Sequence, residues 1–426
     1  METHDVLIIG GGPAGSSCAA ELVRRGVKPL ILDKQTFPRD KTCAGWVTPP
    51  VFAALGIDTA EYPTDNVLQP ITGFRTGMLG GKEIQTRYER IVSYGIRRCE
   101  FDHFLLKRCG AELRLGESLM SLERDGNEWV VNGSLRTPLL VGAGGHFCPV
   151  ARELGNRKQP LASVVAAQEI EFEVSPKELD RGTVAALDGA AATHPSRVAA
   201  LDGAAATHPS RVAALDGAAA THPSRVAADT PELFFCPDLK GYGWCFRKGN
   251  FLNIGLGRTD PERLSEHVAQ FCEFLKARGK VTTNIPAKFH GHAYQLYENV
   301  SPKLFADGVL LVGDSAGLSY PQSGEGIRPA VESGLMAADV IAAAAGNYRR
   351  DRLADYERRI AARFGPPRSA ALSDRLPNGL LRFLAARLLS NRWFSRRVVL
   401  NHWFLHAAEQ PLSLPSSPAD ETARTV

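Results

Sequence analysis

Gly10, Gly12 and Gly15 in VLIIGGGPAGSSCAAELVRRGVKPLILDK have the types and spacing to hold a pyrophosphate. Gly10 permits a tight turn. Gly12 lets the backbone approach a phosphate, and Gly15 lets a helix pack close to the preceding strand. Pro13 and Ala14 then open a helix whose unpaired N–H groups and dipole favour an anion. Asp33, ending the next apolar run, can accept hydrogen bonds from an adenosine ribose, with Lys34 beside it. The pattern has force only in its proper setting, and that setting is legible: Val6 to Ile9 reads as a buried parallel strand, Pro13 to Arg25 as a helix, and Pro29 to Leu32 as a second strand.

A second strand–loop–helix stands far downstream, in GVLLVGDSAGLSYPQSGEGIRPAVESGLMAA. Val309 to Val312 should form a strand closed by Gly313 and Asp314. A glycine-rich loop then leads into an Ala-rich helix starting near Ile327. Two such units suit a long ligand spanning two strand ends. A flavin dinucleotide fits this reading, with Asp314 at the ribityl chain and Gly324, Gly326 and Ile327 facing the ring. A third piece, LLVGAGGHFCPVARELG, puts Gly142, Ala143 and Gly144 after another buried strand. These residues complete the cofactor-binding candidates read from the chain itself.

Taken together, the motifs resemble FAD-dependent oxidoreductases of the aromatic-hydroxylase fold, and within them the geranylgeranyl reductase family. The residues carrying the resemblance are the Gly10–Gly15 fingerprint, Arg98, Phe101 and Asp102 in RRCEFDHFLL, GAGGHFCPVAR, GDSAGLSYPQSGEGI, PRDKTCAGW and GYGWCFRKGN. It covers roughly residues 1–345. The chain departs from the family with Cys43-Ala44-Gly45 for Cys-Gly-Gly, Arg247 where a proline stands, and Gly144 where many relatives have Asp. The resemblance implies that Arg98 serves FAD and that Cys43 and Gly45 lie on the flavin's substrate side. A small buried cysteine is the alternative for Cys43. Tyr242, Trp244 and Phe246 alternate on one strand and share a face. Such a stripe is core in most proteins, but the family motif makes it the wall of an apolar tunnel. Cys43, Gly45, Tyr242 and Trp244 are thus the candidate catalytic and substrate residues. Lys248 would meet a headgroup or solvent at the strand end, and His290 and His292 are proton-donor candidates by chemistry alone.

The implied fold is α/β: a Rossmann-type FAD-binding domain with an inserted antiparallel β-sheet substrate domain and a helical C-terminal tail. The FAD-binding domain would take residues 1–65, 92–158 and 295–346, the substrate domain 66–91 and 159–294, and the helical tail 347–426. Alternating apolar positions around Asp125-Gly126-Asn127 predict a hairpin. Residues 160–174, 231–236 and 242–258 read as strands of the second sheet, and 262–279 as an amphipathic helix.

The 426 residues carry a formal net charge of +4, too mild for a nucleic-acid role. The 8 cysteines show no paired metal spacing, so no metal and no disulfide framework is expected. The fingerprint strand begins at residue 6, so no secretory leader is expected, and no apolar run is long enough to span a membrane. A cytoplasmic protein is expected, with peripheral contact at the inner membrane face as an option. AALDGAAATHPSRV recurs three times unchanged through residues 185–226, which predicts a mobile insertion rather than a solenoid. His194, His208 and His222 recur with it, as copied loop residues rather than a metal set. Between Arg349 and Arg397 stand 13 Arg against 4 acids, interleaved with Leu, Trp and Phe. This tail suits either an interfacial helix on anionic lipid or a helix packed across the substrate lobe. The last sixteen residues, PLSLPSSPADETARTV, read as disordered.

The expected chemistry is reduction of C=C bonds in an isoprenoid, a geranylgeranyl lipid or the prenyl side chain of a quinone, by hydride from reduced FAD. A flavin-dependent monooxygenase acting on an aromatic or other apolar molecule is the alternative. No Trp-x-Trp-x-Ile-Pro segment supports halogenation. No second dinucleotide fingerprint is present, so NAD(P)H binding transiently or a ferredoxin would supply electrons.

Overall fold

The computed structural model describes residues 1–155, 164–175, 226–297, 303–365 and 378–415. Residues 185–225 of the repeats, their three histidines and residues 416–426 lie outside this set. Val226, the last residue of the third copy, is buried in the outer core of the substrate sheet.

A six-stranded sheet forms the first lobe, in the order 305–306, Val309–Leu311, Leu140–Gly142, Val6–Ile9, Pro29–Asp33, Glu112–Leu115, parallel except at the first edge. Its central strands are continuous apolar runs because both faces are covered. One face carries the helices Pro13–Arg24 and Ile327–Ala344. These approach closely because Gly334 has no side chain: a Cβ there would lie 2.3 Å from the Ala14 carbonyl oxygen. The long helix is buried almost all round, which explains its Ala-rich composition. The hairpin forms as expected, with Asp125 opposite Glu128 and Gly126 at positive φ.

The second lobe rests on a seven-stranded sheet ordered His290–Gln295, Val164–Glu173, Phe251–Arg258, Gly241–Lys248, Glu232–Phe235, Gly73–Met78, Ile84–Arg87. Its outer face packs Ile170, Cys245 and Ile254 under the helix Leu264–Ala277, through Val268, Phe271 and Leu275. Its inner face turns toward the first lobe. Strands Trp46–Val47, Ser93–Ile96 and Leu68–Ile71 form a small sheet between the two.

The tail divides its side chains. Helix Asp355–Phe364 lies along Ile327–Ala344, with Arg363 bonded to Glu332 at 2.7 Å. The π-helical segment Ser395–Phe404 buries Val399, Leu400 and Phe404 on the substrate lobe. Helix Asn378–Leu389 instead leaves Leu380, Phe383, Leu384 and Leu388 exposed, as is Trp393 just beyond it. One expectation is corrected here. Residues 411–415 are not free chain: Leu412 and Leu414 pack on the first lobe, and Arg25 donates to the Pro415 carbonyl at 3.3 Å.

Candidate functional site

Three glycine loops converge at the C-terminal ends of the parallel strands, where open α/β sheets bind ligands. Gly10 is at φ +114, and a Cβ there would lie 2.5 Å from the Ala143 carbonyl oxygen. At Gly15 a Cβ would lie 1.9 Å from the Gly10 carbonyl oxygen. Both positions therefore exclude side chains for reasons internal to the fold. Gly12 differs. Its nearest neighbour across space is Arg39, with Nη2 3.5 Å from a built Cβ. Glycine at position 12 keeps space clear rather than preventing a clash. Helix Pro13–Arg24 begins there with no side-chain cap and no acid in its first turn, leaving its N–H groups for a ligand.

The other loops close on this one. Ala143 N–H donates to the Ile9 carbonyl at 2.8 Å, and Val312 N–H to Gly142 at 3.0 Å. Gly313, at φ +59, leaves just enough room for Ala14. Ser315 joins the second and third loops through both the N–H and carbonyl of Gly145. Asp33 accepts the Gly11 N–H at 2.7 Å and the Gln35 N–H at 2.8 Å, so each oxygen keeps a lone pair for a ribose. Lys34 follows it and is exposed. Gly144, also exposed, sits beside Cys148. Gly324, at φ +65, lies against the Tyr294 hydroxyl, and Gly326 against Asp314 and Ser319. Ile327 is buried as the first residue of its helix.

A charged cluster lies beside these loops. Arg98 makes a bidentate pair with fully buried Asp102, at 2.8 Å for both bonds. Arg39 reaches the same carboxylate at 3.2 Å, and its Nη1 is buried without a partner. An orphaned guanidinium N–H beside Gly12 and an open helix N-terminus fits an anionic pyrophosphate. His292 lies 3.6 Å from Asp314, and Lys41 lies 3.1 Å from His292. Burial alone would raise the Asp314 carboxyl. The His292 hydrogen bond and the positive charges of His292, Lys41 and Arg98 hold it down at about 2. Burial also lowers His292 and Lys41. His290 is exposed and outside this cluster.

This chain carries an FAD-binding domain. Residues 3–185 match the FAD binding domain family. The chain is 25% identical to a digeranylgeranylglycerophospholipid reductase of Methanocaldococcus jannaschii, over 84% of this chain and 82% of that protein. It is 27% identical to a menaquinone reductase of Mycobacterium tuberculosis, over 80% and 77% of the two chains. Its fold is that of a geranylgeranyl bacteriochlorophyll reductase-like protein of Thermoplasma acidophilum, with TM-score 0.69, 20% identity, and 95% and 97% coverage. A flavin-dependent brominase shares the fold at TM-score 0.63 and 16% identity, over 95% and 92% of the chains. The resemblance to geranylgeranyl reductases therefore holds in sequence and in fold.

Beyond the glycine loops, the inner face of the seven-stranded sheet carries the expected aromatic stripe. Tyr242 donates to the Ser323 carbonyl in the loop before helix Ile327–Ala344. Trp244 donates through Nε1 to Asn253 at 2.7 Å and is nearly fully buried. A residue of the tail completes this face: Phe404 stacks on Trp46 at 5.4 Å and meets Tyr242 edge-on at 5.3 Å. The packed-helix reading of the tail is right for residues 395–405. Lys248 requires a correction. It shares the inward face with Trp244 and Phe246, is fully buried, and pairs with Glu171 at 2.6 Å. It lies beneath Gly45, where a Cβ would come within 2.5 Å of Nζ.

Sequence reasoning missed Arg39, Lys41, Glu169 and Asn253. The first two stand inside PRDKTCAGW, a segment read only for Cys43 and Gly45. The last two carry no local signal, because their partners come from distant strands.

Proposed function

We propose that this FAD-dependent oxidoreductase reduces C=C bonds of an isoprenoid, a geranylgeranyl lipid or the prenyl side chain of a quinone. The observation that carries the reading is the apolar inner face. Tyr242, Trp244, Trp46, Phe74 and Phe404 gather beside the Cys43–Gly45 loop, and a prenyl chain offers only apolar surface and weak π contacts to recognise. The names of the two relatives support the same substrate class. The halogenase-like neighbour shares the fold alone.

In this reading Gly10, Gly12, Pro13, Ala14 and Gly15, with Arg39, hold the pyrophosphate, and Asp33 with Lys34 takes the adenosine side. Arg98 and Gly142–Gly144 support the cofactor from the first lobe. Gly313, Asp314, Gly324, Gly326 and Ile327 hold the ribityl chain and ring. Reduced flavin, when bound, supplies hydride. Cys43 and Gly45 border the reacting bond, while Tyr242 and Trp244 exclude water from it. NAD(P)H or a ferredoxin supplies the electrons.

The tail supports peripheral contact with an anionic membrane. Leu380, Phe383, Leu384, Leu388 and Trp393 are exposed beside Arg382, Arg387, Arg392 and Arg397. No helix among the described residues is long and apolar enough to cross a membrane. An apolar stripe between arginines fits a surface where the substrate lipid resides.

The test is product mass. Chemically reduced protein given a geranylgeranyl lipid or a menaquinone should add two daltons for each saturated bond. Oxygen-dependent gain of sixteen daltons instead would move the protein to the monooxygenases.

A further inference from the structure

Saturating an isolated double bond takes a hydride at one carbon and a proton at the other. The glycine loops account for the first. Nothing in them accounts for the second: His292 is engaged with Asp314 and Lys41, and the Tyr242 hydroxyl is committed to the Ser323 carbonyl.

The inner face of the seven-stranded sheet offers one more group. Glu169, Gly255 and Trp244 form a single cross-strand row. Gly255 makes the row possible, since a Cβ there would lie 2.2 Å from the indole and 2.9 Å from the Glu169 Cβ. The carboxyl of Glu169 is therefore held at the edge of the Trp244 ring. Asn253 fixes it there, donating from Nδ2 at 3.1 Å, while the same amide group reaches the Cys43 carbonyl at 3.3 Å. The Cys43 backbone N–H donates to Glu169 in return. The carboxyl is thus buried between the aromatic stripe and the peptide of the loop that borders the flavin.

We propose that Glu169 is the general acid of the reaction, which rests on the prenyl-reductase reading above. The alkene π electrons take the proton of the Glu169 carboxylic acid at one carbon, and the other carbon takes the hydride that bound reduced FAD would supply; the carboxylate regains a proton from water before the next turnover. Flavin is oxidised by two electrons and the alkene reduced by two.

The surroundings suit the role. Burial pushes the Glu169 carboxyl up to about 7, against the opposing charge of Lys248 and the hydrogen bonds from Cys43 and Asn253. Glu171, on the same strand, adds negative charge that favours the protonated form. Glu171 itself stays ionised, held low despite burial by Lys248 and Arg97. Two carboxyls on one strand are thus driven apart, the pattern by which sites assign acid and carboxylate roles.

The experiment compares the holoenzyme with Glu169→Gln, which keeps the shape and the Asn253 contact but cannot deliver a proton. The expected result is a fall in kcat for prenyl reduction of about 100-fold or more. The flavin spectrum and its rate of reduction by dithionite should be unchanged. Infrared difference spectra between pH 6 and pH 8.5 should show protonated-carboxyl absorption from Glu169 and Glu325 in wild type, and the Glu169 part alone should be lost in the variant. Wild-type kcat should fall as pH rises through about 7. A kcat within twofold of wild type overturns the proposal and leaves the reductase reading intact. Loss of flavin from the variant also overturns it, since Glu169 would then be scaffold. If wild type adds no mass to any prenyl substrate, the function reading itself falls.

Discussion

The glycine crevice and the inner face of the seven-stranded sheet are neighbours built on opposite plans. In the crevice, the proposed function rests on backbone. Gly10 and Gly15 are fixed by close approaches inside the fold, while Gly12 is free of them and opens outward. On the sheet face, the proposed function rests on side chains contributed by separate strands: Trp244 from one, Asn253 from the next, Glu169 from a third. The difference teaches why one half of the site can be read from sequence and the other cannot.

The comparison breaks most visibly at Gly12. Gly12→Val should leave the fold of the cofactor-free protein intact, because no neighbour lies closer than 3.5 Å to the new Cβ. It should abolish flavin binding, giving colourless protein with an unchanged apo thermal midpoint. A yellow Gly12→Val protein would show that the pyrophosphate is held elsewhere.

On the sheet face the corresponding change is Phe404→Ala. It removes a ring that stacks on Trp46 and meets Tyr242 edge-on, at a cost of about 3–5 kcal/mol. Flavin absorbance should persist, while discrimination between prenyl chains of different length weakens. Unaltered chain-length preference would make the tail ring a packing residue only. Trp244→Phe is a finer cut. Losing the indole donor leaves the Asn253 oxygen unpaired in a buried site, at about 1–3 kcal/mol, and should raise KM for the prenyl substrate without changing flavin content.

How far each half was legible follows from the same contrast. The strand, glycine and helix signals at residues 6–33 and 309–344 are local, and the structure reproduces them within a residue or so. The alternation of Tyr242, Trp244 and Phe246 is also local, so their common face was predictable. What covers that face was not. Phe404 arrives from about 160 residues away, and the basic tail looked alike from Arg349 to Arg397 although Leu353, Tyr356 and Ile360 turn inward and Leu380, Phe383 and Trp393 do not. Lys248 illustrates the limit. Its position at a strand end suggested solvent, but period two puts it on the inward face, where Glu171 neutralises it.

A smaller effect concerns pH. Burial holds Glu325, in the loop before helix Ile327–Ala344, at about 7, as it does Glu169. Both carboxyls keep protons in the folded protein that the unfolded chain releases near pH 4.5. The contribution of these two carboxyls to stability should therefore decline as pH rises from about 4.5 to 7 and level off above. The thermal midpoint of Glu325→Gln should gain on that of wild type across that range. A difference between the two midpoints that does not change between pH 5 and 7 would contradict the assignment.

The smallest effect expected on turnover of a detergent-dispersed substrate is at the exposed stripe. Phe383→Asp with Trp393→Asp should leave that turnover unchanged and reduce flotation with anionic vesicles severalfold. Equal flotation of variant and wild type would remove the tail from membrane contact.

One measurement bears on the central claim most directly. Flavin in the holoprotein is reduced without oxygen, and a geranylgeranyl lipid is added anaerobically. The absorbance of oxidised flavin should return at a rate set by lipid concentration, with one saturated bond formed per flavin. Flavin that stays reduced until oxygen is admitted, with no change in the lipid's mass, would contradict it.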